Sequence, residues 1–120
     1  MKVAVTSQGQ NMTSEADPRF GRTKGFVVVD TETGNHSFHD NEQNLNAVQG
    51  AGIQAARNVI ELGVEAVITG NVGPKALSVL KAGNVKVYIG AQGTAQQAVE
   101  QFRTKQLECA EDANVEAHWV

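Results

Sequence analysis

The sequence is poor in cysteine and in long hydrophobic runs. Cys109 is the single cysteine among 120 residues, which excludes an internal disulfide and any metal site built from several thiolates. Apolar stretches such as residues 26–29 are far shorter than the roughly 18 residues of a membrane span. The first six residues alternate polar and apolar side chains and lack the long apolar region of an export signal. We therefore expect one compact domain in the cytoplasm.

Acidic residues are missing from a long central part of the chain. Residues 66–99 contain three lysines and no acid, and the first 25 residues carry four basic and two acidic side chains. The formal net charge of −3 comes entirely from residues 100–120, which hold five acids and two basic side chains. Nonspecific nucleic-acid binding needs a dense basic face, which this composition does not provide. The two basic stretches instead favour a small, localised anion as ligand.

Hydrophobic periodicity predicts five strands and three helices in the order β-β-β-α-β-α-β-α. Gly63 is placed to end the first helix, Pro74 to begin the second, and Thr94 with Gln97 has the spacing of a capping box. Residues 7–24 form a loop of a length that is typical of functional segments. The predicted elements cover residues 2–6, 25–30, 35–39, 46–62, 65–69, 74–83, 85–89 and 94–104.

This order predicts an α/β fold with a mixed five-stranded sheet. Helical crossovers join parallel neighbours by right-handed connections, so the first, fourth and fifth strands should lie side by side. The hairpin adds one antiparallel strand, and about three helices cover the faces of the sheet. Residues 1–104 would form this single domain. Residues 105–120 would form an acidic tail with room for one short strand over residues 107–109.

Three loops start at the carboxyl ends of the predicted parallel strands, where open α/β sheets bind ligands. Two of them, residues 69–73 and 90–94, lead into helices whose N-terminal amides and positive dipole end favour an anion. Taken singly, the glycines of these loops are typical of plain turns, and Arg19 and Arg22 are typical of solvated surface residues. Phe20 could simply anchor its loop in the core. Their joint occurrence predicts a pocket for a polyanion. The candidate residues are Ser7, Gln8, Arg19, Phe20, Gly21, Arg22, Lys24, Thr69, Gly70, Asn71, Val72, Gly73, Lys75, Gly90, Gln92, Gly93 and Thr94.

Signals for metal chelation and catalysis are sparse. His36 and His39 are three residues apart on a predicted strand, so they point to opposite faces and cannot chelate one ion. No metal-ligand set is predicted; Met12 and His39 are individual candidates only, with loop filler as the alternative for Met12. Ser7 and Thr69 have no base in their pattern, and the central strands offer no carboxylate for magnesium. We expect a protein without enzymatic activity.

Nucleotide-binding patterns are incomplete. Residues 50–55 match the GxGxxA spacing, but they lie inside the first predicted helix and do not follow a strand, so we interpret them as close packing of that helix on the sheet. The phosphate-loop spacing that ends in Gly-Lys-Ser or Gly-Lys-Thr is absent. A small nucleotide-binding enzyme is one alternative function, but the chain lacks the acid that such an enzyme needs to bind ribose or magnesium.

Four segments together resemble one protein family. They are the Phe-Gly-Arg triplet at 20–22, residues 44–52, residues 63–76 and residues 85–88. Over residues 1–104 the chain is similar to the dinitrogenase iron-molybdenum cofactor biosynthesis family, which includes NifX-like and NafY-like proteins. Within that family it most resembles the small orange proteins of sulfate-reducing bacteria.

The resemblance implies a ribonuclease-H-like three-layer fold without nuclease activity. It also implies a cargo, which is a molybdenum-copper sulfide cluster or, alternatively, the iron-molybdenum cofactor or its precursor, held mainly noncovalently. We expect a monomer that delivers the cluster to an acceptor protein and binds neither nucleic acid nor membranes. Relatives often carry a histidine just before the Gly-x-Gly segment, where this chain has Gln49. A regulatory module that binds a partner and no cofactor is the alternative.

Overall fold

The computed structural model of the chain describes residues 1–41 and 50–111. These ranges contain six strands and three helices. In chain order they are β1 (Lys2–Ser7), β2 (Gly25–Asp30), β3 (His36–Asp40), α1 (Ala51–Glu61), β4 (Ala66–Ile68), α2 (Pro74–Ala82), β5 (Lys86–Ile89), α3 (Ala95–Arg103) and β6 (Glu108–Cys109).

Three parallel strands form the centre of the sheet. β1 pairs in parallel with β4, and β4 pairs in parallel with β5. β2 runs antiparallel to β1 along its whole length, and β3 completes the hairpin. The resulting strand order, β3-β2-β1-β4-β5-β6, confirms the predicted parallel neighbours and the ribonuclease-H-like α/β fold.

The sheet has one strand more than the five that were predicted. β6 pairs antiparallel with β5, with Cys109 opposite Tyr88. Next to it, the amide of Ala110 donates to the carbonyl of Val87 at 2.7 Å, and Ala110 is buried. Two strands, β2 and β6, therefore run against the parallel strands instead of one. A two-residue strand has no periodicity to read, so only its place within residues 107–109 could be suggested.

The strands divide the core into two layers because their side chains alternate between the faces. In β1, Ala4 belongs to the cluster that packs under α1 and α2, whereas Val3 and Val5 belong to the cluster under α3. Fully buried Val59 and Leu80 fill the first cluster from the helices. The molecule is thus a sheet between two helical layers.

Local sequence signals account for most helix ends. Gly63, with φ of 73°, follows α1, and Pro74 is the first residue of α2, both as predicted. The capping box of α3 is also confirmed, since Thr94 Oγ1 accepts from the Gln97 amide and Gln97 Oε1 accepts from the Thr94 amide. The predicted first turn of helix one, over residues 46–49, lies outside the described residues.

Gly52 packs differently from the prediction. We expected this segment to pack on the sheet, but a Cβ atom on Gly52 would lie 3.3 Å from the Cβ of Ala76 in α2. The small residues of the GxGxxA pattern therefore allow α1 and α2 to approach each other. Among the described residues, no helix combines the length and the apolar character needed to cross a bilayer.

Candidate functional site

The candidate site lies at the carboxyl ends of β1, β4 and β5, where the long loop of residues 8–24 crosses the edge of the sheet. The Asp17 amide donates to the carbonyl of Thr6 at the end of β1, and the Asn71 amide donates to the carbonyl of Pro18. Farther along, the Ala16 amide donates to the carbonyl of Gly93. Each of these three hydrogen bonds measures 2.8 Å. The loop therefore touches all three strand ends.

Buried hydroxyl groups hold the loop against the sheet. Thr6 Oγ1 donates to the carbonyl of Asp17 at 2.6 Å and lies 2.9 Å from Thr69 Oγ1. Thr23 Oγ1 accepts from the Ser7 amide at 3.1 Å and lies 2.9 Å from the carbonyl oxygen of Gly25. The hydroxyl of Ser7 donates to the carbonyl of Gly9. Ser7 and Thr69, two of the candidate residues, are thus fully buried in this arrangement.

A second group of backbone contacts places Arg19 beside the loop that follows β4. Arg19 and Asn71 form a parallel bridge, and Asn71 also donates from its side-chain Nδ2 to the carbonyl of Pro18. Gly70 is in close contact with this segment, because a Cβ atom there would lie 2.7 Å from Pro18 Cα. Glycine at position 70 therefore permits the close approach that brings Arg19 next to the start of α2.

The N-terminus of α2 combines several features that favour an anion. Its N-cap, Gly73, is extended and makes no side-chain capping hydrogen bond. Pro74 has no amide hydrogen, and the first turn contains no acid. The first-turn amides of a helix lack intrahelical acceptors and carry the positive end of its dipole. Lys75, which is exposed in that turn, adds a full positive charge.

The N-terminus of α3 is, in contrast, already covered by the long loop. The Ala95 amide donates to the carbonyl of Ser14, and the Gln96 amide donates to the carbonyl of Met12, both at 2.8 Å. In the preceding turn, the Gln92 amide donates to Gln101 Oε1, and Gly90 donates to Gly70. Of the two helix starts, α3 is therefore capped by the long loop, whereas α2 has no side-chain cap from its own N-cap residue within residues 1–41 and 50–111.

The basic side chains of the loop lie in different environments. The side chain of Arg19 is 49% exposed, and its Nε lies 3.9 Å from Oδ1 of the buried Asp17. Arg22 is half-buried, whereas Lys24 is exposed and its carbonyl accepts from the Asn41 amide at the far end of the loop. Lys24 thus lies next to the hairpin. Arg19, which follows the segment bonded to Asn71, lies next to α2.

The remaining candidates are three buried apolar or small residues and one exposed glutamine. Phe20 is fully buried, and its ring centroid lies 6.0 Å from that of Phe26. Gly21 and Val72 are also buried, whereas Gln8 is exposed and its amide donates to the carbonyl of Glu15. Phe20 therefore anchors the loop in the core, which was the alternative to a binding role.

Two buried residues that hold the long loop, Asp17 and Asn41, were not among the candidates predicted from the sequence. Asp17 is 5% exposed, and its Oδ1 accepts from the Arg19 amide at 2.9 Å. Burial raises the pKa of the Asp17 carboxyl, although the Arg19 amide and charge oppose that rise. Asn41 is fully buried and joins the loop to α1, since it donates to the carbonyl of Thr23 and accepts from Asn58. The Asp-Pro dipeptide at 17–18 is a turn signal that pointed to Asp17, whereas no sequence signal pointed to Asn41.

The histidines do not converge on the site. His39 lies opposite Phe26 and His36 opposite Val29, and these two partners belong to the two different core clusters. The histidines therefore point to opposite faces, as predicted. His39 Nε2 lies 3.0 Å from Ser37 Oγ. Within residues 1–41 and 50–111, no three His, Cys, Asp or Glu side chains are grouped as a metal site.

Comparison with known sequences identifies the relatives of this chain. A sequence model described as "Dinitrogenase iron-molybdenum cofactor" matches residues 1–105. An uncharacterized protein of Methanocaldococcus jannaschii is 30% identical over 110 residues, which cover 90% of each chain.

Two solved structures are similar in both sequence and fold. The apo form of the orange protein from Desulfovibrio gigas is 39% identical with a TM-score of 0.92, covering 95% of this chain and 96% of that one. A NifB-like protein from Thermotoga is 36% identical with a TM-score of 0.78, covering 90% of this chain and 91% of that one.

Proposed function

Because the chain belongs to the dinitrogenase iron-molybdenum cofactor family, we propose that it carries an anionic metal-sulfide cluster as cargo and has no catalytic activity. The family and the likeness to the orange protein fit a cofactor-binding or carrier role. We propose a molybdenum-copper sulfide as the cargo, with the iron-molybdenum cofactor or its precursor as the alternative. The observation that carries the proposal is the start of α2, where Gly73 makes no side-chain capping hydrogen bond, Lys75 lies in the first turn and Arg19 is bridged to Asn71 just before it.

The donor set at this edge suits the chemistry of such a cluster. Thiomolybdate units are anions whose terminal sulfur atoms accept hydrogen bonds, so backbone amides and cationic side chains can hold them without a thiolate from the protein. The first turn of α2 supplies amides, and Lys75 and Arg19 supply charge. Gly73, the N-cap residue, has no side chain at this point. We propose that these groups hold the cargo, with Arg22 contributing from the loop.

The direct test is reconstitution. The purified chain is mixed anaerobically with tetrathiomolybdate and a copper(I) salt, desalted, and examined by visible absorption and elemental analysis. We expect charge-transfer bands that remain with the protein and molybdenum and copper in fixed proportion to it. A colourless, metal-free protein would contradict the carrier function and favour the regulatory module that binds a partner and no cofactor.

The position of the site is tested by removing its charge. In the double variant Arg22→Ala/Lys75→Ala, we expect cluster affinity to fall by a few kcal/mol, on the order of 1.5–3 for each charge-assisted hydrogen bond lost. The retained metal per protein after desalting measures this loss.

A matched control removes the same charge elsewhere. Arg57 is exposed on α1, and Lys86 is exposed at the amino end of β5, the edge opposite the site. We expect Arg57→Ala/Lys86→Ala to retain the cluster almost as well as the original chain. Equal losses in the two double variants would show that overall charge, rather than this site, governs retention.

A further inference from the structure

Asp17 is the one buried charged residue among residues 1–41 and 50–111, and it lies within the proposed anion site. The other buried polar side chains there are hydroxyl or amide groups. A buried carboxylate is unfavourable unless it is paired, and beside an anionic cargo it also repels the ligand. A buried carboxylate at position 17 is therefore unexpected in a protein that carries anions, unless it interacts with a cationic side chain.

Asp17 contacts Arg19 in two ways. Its Oδ1 accepts from the Arg19 amide at 2.9 Å, which holds the backbone of the segment bonded to Asn71. The same oxygen lies 3.9 Å from Arg19 Nε, so the carboxylate is also the counter-ion of the guanidinium. The side chain of Arg19 is half-exposed, whereas that of Asp17 is 6% exposed. The guanidinium can turn toward a ligand, but the carboxylate stays in place.

We propose that Asp17 is a positioning residue that fixes Arg19 at the anion site and competes with the cargo for its guanidinium. This inference rests on the proposed carrier function. When Arg19 turns to a bound anion, the buried carboxylate loses its counter-ion, which makes the loaded state less favourable. Asp17 therefore lowers the affinity of the site, and a lowered affinity suits a protein that must give up its cargo. The raised pKa of the Asp17 carboxyl agrees with a charge that is poorly stabilised there.

Two variants of Asp17 separate the two contacts. Asp17→Asn keeps an oxygen that can accept from the Arg19 amide but removes the competing charge, so tetrathiomolybdate should bind about two- to fivefold more tightly. Asp17→Ala removes both, so the loop loses its anchor and binding should weaken by about tenfold or more. A merely structural role would move both variants in the same direction. The dissociation constants are measured by absorption titration with tetrathiomolybdate alone, at fixed pH and salt.

Two further variants show whether the effect passes through Arg19. Arg19→Ala keeps the backbone amide, so Asp17→Asn in that background should tighten binding less than it does in the original chain. Asp30→Asn is the matched control: Asp30 Oδ1 accepts from the Glu32 amide, also at 2.9 Å, but at the opposite edge of the sheet. We expect Asp30→Asn to leave the dissociation constant unchanged.

The possible failures are distinguishable. If the original chain retains no cluster after reconstitution with tetrathiomolybdate and copper(I), the carrier function fails and this inference fails with it. If it retains the cluster but does not bind tetrathiomolybdate alone, only this inference is overturned. If the original chain binds but Asp17→Asn weakens binding, or tightens it no more than Asp30→Asn does, only the role of Asp17 is overturned. If Asp17→Ala does not fold, the effect of Asp17→Asn in the original chain, compared with its effect in the Arg19→Ala background, still decides the question.

Discussion

Small uncharged polar side chains hold the candidate site in shape. Thr6, Thr23 and Asn41 are buried, and each bonds to the backbone of the long loop or of the strands beside it. A buried polar group without a partner costs about 1–3 kcal/mol, so such groups specify one path for the loop. The charged side chains then occupy positions that these buried bonds have set.

Gly70, which follows β4, is in close contact with the long loop. In Gly70→Ala the added Cβ would lie 2.7 Å from Pro18 Cα and 2.8 Å from its carbonyl oxygen, so the backbone must shift. Overpacking of this kind costs about 1–3 kcal/mol. We expect a lower free energy of unfolding by that amount in urea denaturation, together with weaker tetrathiomolybdate binding.

Shortening Pro18 should not relieve this clash. The atoms that the new methyl group meets are Cα and the carbonyl oxygen of Pro18, which every residue has. Gly70→Ala should therefore lower the free energy of unfolding by the same amount in the Pro18→Ala background as in the original chain. Recovery of stability in the double variant would show that the proline ring, and not the backbone, sets the approach.

At the residue scale, the sequence indicated which residue types gather at the strand ends but could not indicate which of them face outward. Lys75 is exposed, whereas Ser7 and Phe20 are fully buried and take part in anchoring the loop. The sequence predicted a binding role for all three alike, because spacing alone carries no information on the path of a 17-residue loop. The binding role of each remains a prediction.

At the scale of elements, two similar strand-loop-helix units differ at the start of their helices. Both helices begin after a glycine-containing loop, but the carbonyls of Met12 and Ser14 cap α3, while Gly73 leaves α2 without a side-chain cap. The difference arises because the long loop returns over β5 before it reaches β4. Local sequence treats the two helix starts alike, and only the loop distinguishes them.

The capping box of α3 is a local device, and its contribution is measurable. Thr94→Ala removes the oxygen that accepts from the Gln97 amide, and the loss of such a cap costs about 1 kcal/mol. We expect the free energy of unfolding to fall by this amount, while Thr94→Ser stays near the original value. Urea denaturation followed by circular dichroism measures both.

A second threonine in the same unit serves as the control. Thr104 follows the C-terminal end of α3, and its hydroxyl donates to the Glu100 carbonyl while exposed to solvent. Thr104→Ala should therefore change stability by less than about 0.5 kcal/mol. Similar losses in Thr94→Ala and Thr104→Ala would contradict a specific role for the cap.

At the scale of the whole molecule, the end of the described chain completes the sheet. β6 pairs with β5, Ala110 is buried, and Lys81 Nζ donates to the carbonyl of Glu111 at 2.8 Å. These contacts join residues far apart in sequence. From its acidic composition we predicted that this region is a tail outside the domain. In the structure, its backbone pairs with β5 and extends the sheet.

Two shortened chains test the contribution of this region. A chain that ends at Thr104 loses β6 and its neighbours, whereas a chain that ends at Glu111 keeps them. We expect the shorter chain to be less stable by roughly 1–3 kcal/mol, from lost hydrogen bonds and burial. Comparing the two with each other by urea denaturation isolates residues 105–111. Equal midpoints would show that β6 contributes nothing to stability.

The sequence by itself determined the order of the elements, the parallel central strands and the ends of α2 and α3. These features follow from hydrophobic period and from caps and turns that act within a few residues. The tertiary structure decided the sixth strand, the contact of Gly52 with α2, the covering of α3 by the loop and the pairing of Asp17 with Arg19. The sixth strand, the covering of α3 and the contact of Gly52 depend on contacts between residues distant in sequence, which local patterns do not contain. Asp17 and Arg19 are near in sequence, but their pairing depends on the path of the long loop, which buries one side chain and exposes the other.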